Sequence, residues 1–272
     1  MANDRAERFL ELHKQAQPLL LPNPWDAGSA RLLASLGFSA LATTSSGFAS
    51  TLGRLDGSVS LDEAIDHAEG LVAATELPVS ADLENGYADS PEGVAATVRR
   101  AIDVGLAGCS IEDYSGRPDE RIYDIGPATE RITAAAEAAH AGPAKLVLTG
   151  RAENFIRGRR DLADTISRLQ AYQEAGADVL YAPGLSTIAD VRSVVSSVDR
   201  PVNVLAWPGG PEVAELAEAG VSRVSIGGLF AYAALGAVVE AAREFLGGHF
   251  TEFATRAAVG AKAVRAAFNP EP

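Results

Sequence analysis

Short, continuously apolar runs alternate with longer amphipathic segments along the whole chain. The apolar runs predict strands over 19–22, 39–43, 79–82, 108–112, 145–149, 179–181, 202–205 and 223–226. Their hydrophobicity does not alternate, which marks parallel strands buried on both faces. Helical periodicity fills the intervals at 60–75, 91–104, 127–141, 161–175, 188–197 and 212–219. A charged amphipathic helix opens the chain at 1–15, and two more helices, 229–246 and 251–268, close it. Gly37, Gly105, Gly176 and Gly220 each follow a helix and precede a strand, where a left-handed residue ends the helix.

Regular strand–helix alternation over 272 residues predicts an α/β fold of the (β/α)8 TIM-barrel type. The reading is a single domain over 1–272, with 247–272 as a C-terminal helical extension. A doubly wound sheet is the structural competitor, but no GxGxxG turn follows the first strand. The last helix is surplus to one barrel and is expected at an oligomer contact. Two strand-to-helix connections, 44–59 and 113–125, are too long for simple turns. In a barrel both fall on the C-terminal face, where active sites lie.

Composition narrows the class. Hydrophobic residues make up 47% and charged residues 22% of the chain, so a folded core is expected. Cys109 is the single cysteine and lies in an apolar run, which reads as packing in a reducing, cytoplasmic setting. The first residues carry no apolar signal core, and no stretch approaches the ~18 apolar residues of a membrane span. A formal charge of −13 argues against nucleic-acid phosphates as a partner.

The polar residues at the strand ends carry the chemistry. Strand three ends in Asp82 and Glu84, strand four in Glu112 and Asp113, and strand five is followed by Arg151 and Glu153. Asn203 lies inside strand seven. Converging carboxylates repel unless a cation lies between them, and oxygen-only donors favour Mg²⁺, with Mn²⁺ as the alternative. Such an ion holds a 2-oxo acid and stabilises an enolate. Arg151 suits a bidentate grip on a further carboxylate or phosphonate. The bland readings stand beside these: Asp113 as a cap or surface charge, Arg151 with Glu153 as a structural ion pair, Asn203 as a satisfied core amide. The four histidines, His13, His67, His140 and His249, all fall in or beside helices, so a histidine metal site or base is not expected. The Trp207–Gly210 segment suits either an anion site or an ordinary turn.

These residues bring a family into view. PNPWDAGSA (22–30), TTSSG (43–47), LGRLDG (52–57), ADLENGY (81–87) and GCSIEDY (108–114) occur in the order found in the isocitrate lyase/phosphoenolpyruvate mutase superfamily, followed by GRAEN, EAGADVLYAPG and GVSRVSIGG. The chain resembles that superfamily from about 19 to 245. The resemblance implies a barrel with a terminal helix swapped between subunits, a homodimer or homotetramer, and Mg²⁺ with a small carboxylic acid. It implies Asp82 as the direct metal ligand and Glu84 and Glu112 as its water-mediated partners. Asp56 belongs to the same acidic cluster, and Asp56, Glu112 and Arg151 form the implied catalytic set. Trp25, Ser45, Ser46, Gly47 and Arg151 are the implied substrate contacts, joined by Asn203 from strand seven.

The departures are specific. Family lyases carry a Lys-Lys/Arg-Cys-Gly-His segment after strand four, and the mutases use a lysine and an asparagine there. Here the loop reads YSGRPDERIYD, with no lysine, cysteine, histidine or asparagine. Tyr114, Tyr181 and Arg117 are the candidates to move protons instead. Glu84 and Glu153 stand where the family commonly has aspartate. The leading expectation is an Mg²⁺-dependent lyase or decarboxylase that cleaves a C–C bond next to the carbonyl of a 2-oxo or 2-hydroxy acid. A phosphonopyruvate-type mutase or hydrolase is the enzymatic alternative, and a non-catalytic barrel that binds a carboxylate metabolite is the alternative of a different class.

Overall fold

The computed structural model describes residues 2–117, 122–143 and 145–269. In chain order its elements are α1 (Ala2–Leu12), β1 (Leu19–Leu21), α2 (Ala27–Ser35), β2 (Leu41–Ala42), α3 (Ser45–Thr51), α4 (Leu61–Ala74), β3 (Val79–Asp82), α5 (Pro91–Asp103), β4 (Gly108–Glu112) and α6 (Ile125–His140). They continue as β5 (Val147–Arg151), α7 (Leu162–Glu174), β6 (Val179–Tyr181), α8 (Ile188–Val195), β7 (Val202–Leu205), α9 (Val213–Glu218), β8 (Arg223–Ser225), α10 (Leu229–Leu246) and α11 (Thr251–Phe268). The eight strands pair in parallel in the order β1-β8-β7-β6-β5-β4-β3-β2. At the remaining seam, Ala42 N donates to Pro22 O at 3.0 Å and Asn23 Nδ2 to Thr43 O at 2.9 Å, which brings the two edges together. The molecule is a TIM barrel with a C-terminal helical extension.

The helix–glycine–strand punctuation holds, with φ between 82° and 105° at Gly37, Gly105, Gly176 and Gly220. Two expectations need correction. The fifth strand runs Val147–Arg151 and not 145–149. Pairing with β4 sets this register, Gly108 opposite Val147 and Glu112 opposite Arg151, whereas the apolar run alone has no marker of where it begins. The 44–59 connection is also no plain loop, because it contains α3. Ser, Thr and Gly favour turns over helix interiors, which hides so short a helix in the sequence. Thr44 caps it, its side chain accepting from Gly47 N at 3.3 Å.

The core has two parts. Leu, Ile, Val and Ala from the strands' outer faces pack against the ring of helices. At the N-terminal end, α1 closes the barrel floor. Phe9 is fully buried there beside Leu19, Leu21, Ala107, Val147 and Val179.

α10 does not complete the ring. Of its 18 residues only Ala231 is buried, and Phe230, Leu235, Val238, Val239 and Leu246 are exposed. On the barrel wall, Leu20 in the middle of β1 is 45% exposed. Beyond it, α11 returns to lie beside α2, with Phe268 reaching Gly28. Among the described residues no helix is long and apolar enough to cross a membrane.

Candidate active site

Three neighbouring strands end in charged residues that point to one place: Asp82 on β3, Glu112 on β4 and Arg151 on β5. With Ser45, Asp56 and Glu84 they line a cavity of about 550 Å³ at the C-terminal end of the barrel. Arg151 is the hub of this group. Its Nε donates to Glu153 Oε1 at 2.6 Å, and its Nη1 lies 3.2 Å from Glu112 Oε2 and 3.5 Å from Asp82 Oδ1. Burial opposes its charge, but Glu112, Glu153 and Asp82 together overcome this and hold its pKa well above the usual value. The bland reading of Arg151 with Glu153 as an ion pair is therefore correct in part: the pair exists and sits inside the acidic cluster.

Asp82 accepts from Ser45 Oγ at 3.1 Å and from Glu84 N at 3.3 Å, while its own N–H donates to Thr43 Oγ1 at 2.9 Å. Glu84 and Tyr87, with φ of 48° and 54°, are the only non-glycine residues of the described chain with left-handed backbone. Strain of this kind concentrates at functional sites. Here it turns the Glu84 side chain into the cavity, where the Tyr87 hydroxyl donates to its Oε1 at 3.2 Å. Burial, then the charges of Asp82 and Asp56, push Glu84 up to about 7. Burial likewise holds Glu112 well above the carboxylate range, with Arg151 opposing.

All these donors are oxygens. Among the described residues no three acidic, histidine or cysteine side chains converge closely enough to enclose an ion by themselves. The set fits a hard ion bound directly by one carboxylate, with water completing its shell, in the manner of Mg²⁺. The repulsion that raises Glu84 is what such an ion would relieve. Nothing in the geometry favours Mn²⁺.

The remaining site expectations separate. Ser45 lines the cavity, while Ser46, Gly47, Trp25 and Asn203 do not. Ser45, Ser46 and Gly47 form the first turn of α3. Ser46 Oγ bonds to Thr44 Oγ1 at 3.2 Å. A Cβ at Gly47 would lie 2.5 Å from Thr44 Cγ2 and 3.3 Å from Trp25 Cβ, so glycine is required by packing. Trp25 leads into α2, and its carbonyl accepts from His67 at 3.0 Å. Asn203 sits deeper in the barrel, donating to Ser225 Oγ at 3.0 Å and accepting from Arg223 Nε at 2.9 Å, which is the satisfied amide. It borders a second, smaller cavity of about 60 Å³ that also touches Asp82 and Arg151.

Asp113 is neither a cap nor a surface charge. It is buried, accepting from Glu153 N at 2.7 Å, the Tyr172 hydroxyl at 2.7 Å and Arg168 Nη1 at 3.0 Å. This network fastens the β5–α7 loop beneath the cavity. Arg131 does the same for the β3–α5 loop by donating to the carbonyls of Asn85, Ala88 and Asp89. Cys109 is buried, its thiol pushed up to about 12 by burial, as expected of packing. None of the histidines lines the cavity. The Trp207–Gly210 segment is a turn closed by Gly210 N donating to Trp207 O at 3.0 Å. Tyr181 lies buried beneath Arg151, whereas Tyr114 faces the cavity mouth. The sequence reading missed Tyr87 and Arg157. The second was findable, since the ENFIRGRR segment is itself a strand-to-helix loop on the C-terminal face.

Fold and site together define a TIM-barrel enzyme class built on oxygen donors at the ends of β3 and β4 with an arginine from β5. The Phosphoenolpyruvate phosphomutase family model matches residues 9–246. The chain belongs to this family, within the isocitrate lyase/phosphoenolpyruvate mutase superfamily. A crystal structure of a putative lyase/mutase from Burkholderia cenocepacia J2315 is 50% identical, with a TM-score of 0.94, covering 99% of this chain and 98% of that one. An uncharacterized protein of Mycobacterium tuberculosis is 34% identical over 86% of this chain and 87% of its own. The 2-methylisocitrate lyase of Halalkalibacterium halodurans is 30% identical over 72% of this chain and 66% of its own. Members of the superfamily include lyases and phosphonomutases.

Proposed function

We propose that the chain is an Mg²⁺-dependent lyase or decarboxylase that cleaves a C–C bond adjacent to the carbonyl of a small 2-oxo or 2-hydroxy carboxylic acid. The observation that carries this reading is the single cavity on which Asp82, Glu84, Glu112, Asp56 and Arg151 converge. Asp82 would hold the ion directly, with Glu84 and Glu112 acting through water. When bound, the ion supplies positive charge for the enolate left by bond cleavage. Ser45 orients the Asp82 carboxylate. Arg151 opposes the burial that raises Glu112, holds the acids in place and presents its remaining donors to the substrate.

The C–P alternative is less well supported, because residues 113–125 contain no lysine, asparagine, cysteine or histidine. The same absence sets the chain apart from lyases that use the cysteine-bearing loop. The test is pyruvate release from oxaloacetate, phosphonopyruvate, methylisocitrate and dimethylmalate, with Mg²⁺ and again with chelator. Chelator-sensitive turnover of one substrate, reduced ~100-fold or more in Asp82→Ala with the fold intact, is expected. Metabolite binding without turnover in either form would establish the non-catalytic barrel instead.

We also propose that the protein works as a homodimer or homotetramer in which the C-terminal helices are exchanged between copies, α10 together with the terminal helix α11 expected from the sequence. The exposed apolar residues of α10 and the uncovered Leu20 on β1 complement each other, and neither is covered within one chain. Sedimentation equilibrium checks this, and a monomer at micromolar concentration would refute it.

A further inference from the structure

We propose that Arg157 is the receptor for a second acid group on the substrate, so that the site takes a 2-oxo or 2-hydroxy dicarboxylate in preference to the corresponding monoacid. The proposal rests on the lyase reading above and narrows its substrate class. Charge makes the problem plain. The cavity is lined by Asp56, Asp82, Glu84, Asp89 and Glu112 against two cations, Arg151 and Arg157. A dianionic ligand can occupy such a space only where a cation has N–H donors left to meet its second acid group.

The two arginines differ in that respect. Arg151 lies within 3.5 Å of carboxylate oxygens on Glu153, Glu112 and Asp82. Arg157 is anchored through Nε alone, which donates to Glu153 Oε2 at 2.8 Å. Among the described residues neither of its terminal nitrogens makes a hydrogen bond, and the Glu112 carboxylate lies 3.9 Å from Nη2. The guanidinium carbon stands 3.6 Å from the centre of the Tyr114 ring, which backs its face. One edge is thus tethered and one face covered, leaving the terminal N–H edge for a ligand. A planar guanidinium held this way is organised for bidentate recognition of a carboxylate. At 33% exposure the side chain is reachable from the cavity without unpacking anything.

The experiment is calorimetric binding of racemic malate and racemic lactate, a 2-hydroxy diacid and monoacid, to the full chain with saturating Mg²⁺. Wild type is expected to prefer malate by about tenfold, equivalent to about 1.4 kcal/mol. Arg157→Gln should bring that ratio to near one, Arg157→Lys should leave an intermediate value, and Tyr114→Leu should lower the ratio more than Tyr114→Phe. A wild type without preference, or Arg157→Gln with the ratio unchanged, overturns the proposal. Thermal unfolding guards against collapse, and should Arg157→Gln unfold, the Arg157→Lys ratio decides. The lyase reading fails separately if malate preference holds and no substrate of the pyruvate-release panel turns over. Failure of wild type to bind either acid overturns the proposal, and the pyruvate-release panel then decides the lyase reading on its own.

Discussion

Two arginines lie inside the same barrel and live in opposite surroundings. Arg151, at the C-terminal end, is ringed by carboxylates that hold its pKa well above the usual value despite burial. Arg223, on β8 deeper in the barrel, has only neutral partners. Its Nε donates to Asn203 Oδ1 at 2.9 Å, Nη2 to Thr149 Oγ1 at 3.2 Å and Nη1 to His13 Nε2 at 3.2 Å. Burial without a countercharge brings it down to about 10. The neutral dipoles satisfy its hydrogen bonds and leave its charge uncompensated. What makes a site is therefore the balance of charge around a buried group and not its burial: the upper arginine organises acids, and the lower one joins the floor to the wall.

The comparison predicts a graded set of effects. Replacing Arg151 by Gln leaves Glu112, Glu153 and Asp82 without their shared countercharge. Breaking a buried ion pair from one side costs about 3–5 kcal/mol, so this is the largest expected loss, read from denaturant unfolding. Arg223→Met instead removes an uncompensated charge and leaves only neutral acceptors unpaired, for which about 1–3 kcal/mol is expected, with turnover retained. If the two variants lose equal stability, the distinction drawn between the arginines is wrong.

The most gradual effect tests the floor through pH. His13 donates from Nδ1 to Phe9 O at 2.8 Å and must accept at Nε2 from Arg223, so it is held neutral. Burial first, then the charge of Arg223, lowers it from 6.5 to about 3. Below 6.5 the unfolded chain binds a proton that the folded chain refuses. The contribution of His13 is therefore complete above pH 6.5 and is lost progressively down to about pH 3, with a slope of at most about 1.4 kcal/mol per unit. Subtracting the stability of His13→Gln from that of wild type across this window isolates the term. A flat difference would show that His13 is not kept neutral by the fold.

Much of the architecture was legible from local pattern. Val79–Asp82, Gly108–Glu112, Val179–Tyr181 and Val202–Leu205 stand where the apolar runs place them, as do Leu229–Leu246 and Thr251–Phe268. A run buried on both faces needs apolar side chains at every position, so its composition announces it. The same logic exposed Asp82 and Glu112, polar residues at the ends of such runs. The 44–59 segment was misread because Thr44, Ser45, Ser46 and Gly47 are turn formers that tertiary contacts press into a helix. Asp113 looked like a cap because nothing beside it in sequence reveals Arg168 and Tyr172.

The barrel, its strand-end acids and its family were thus determined by the chain itself, because periodicity and strand-end chemistry are properties of neighbouring residues. Which side chains meet was decided only by the tertiary structure. The β4–β5 register sets Arg151 opposite Glu112, and ring closure brings His13 to Arg223 across 210 positions. Likewise, the packing of two loops leaves Arg157 backed by Tyr114, with its terminal donors open among the described residues. Local hydrophobicity reports how deeply a segment is buried, whereas partners across a barrel are set by strand register and closure, which no single segment encodes.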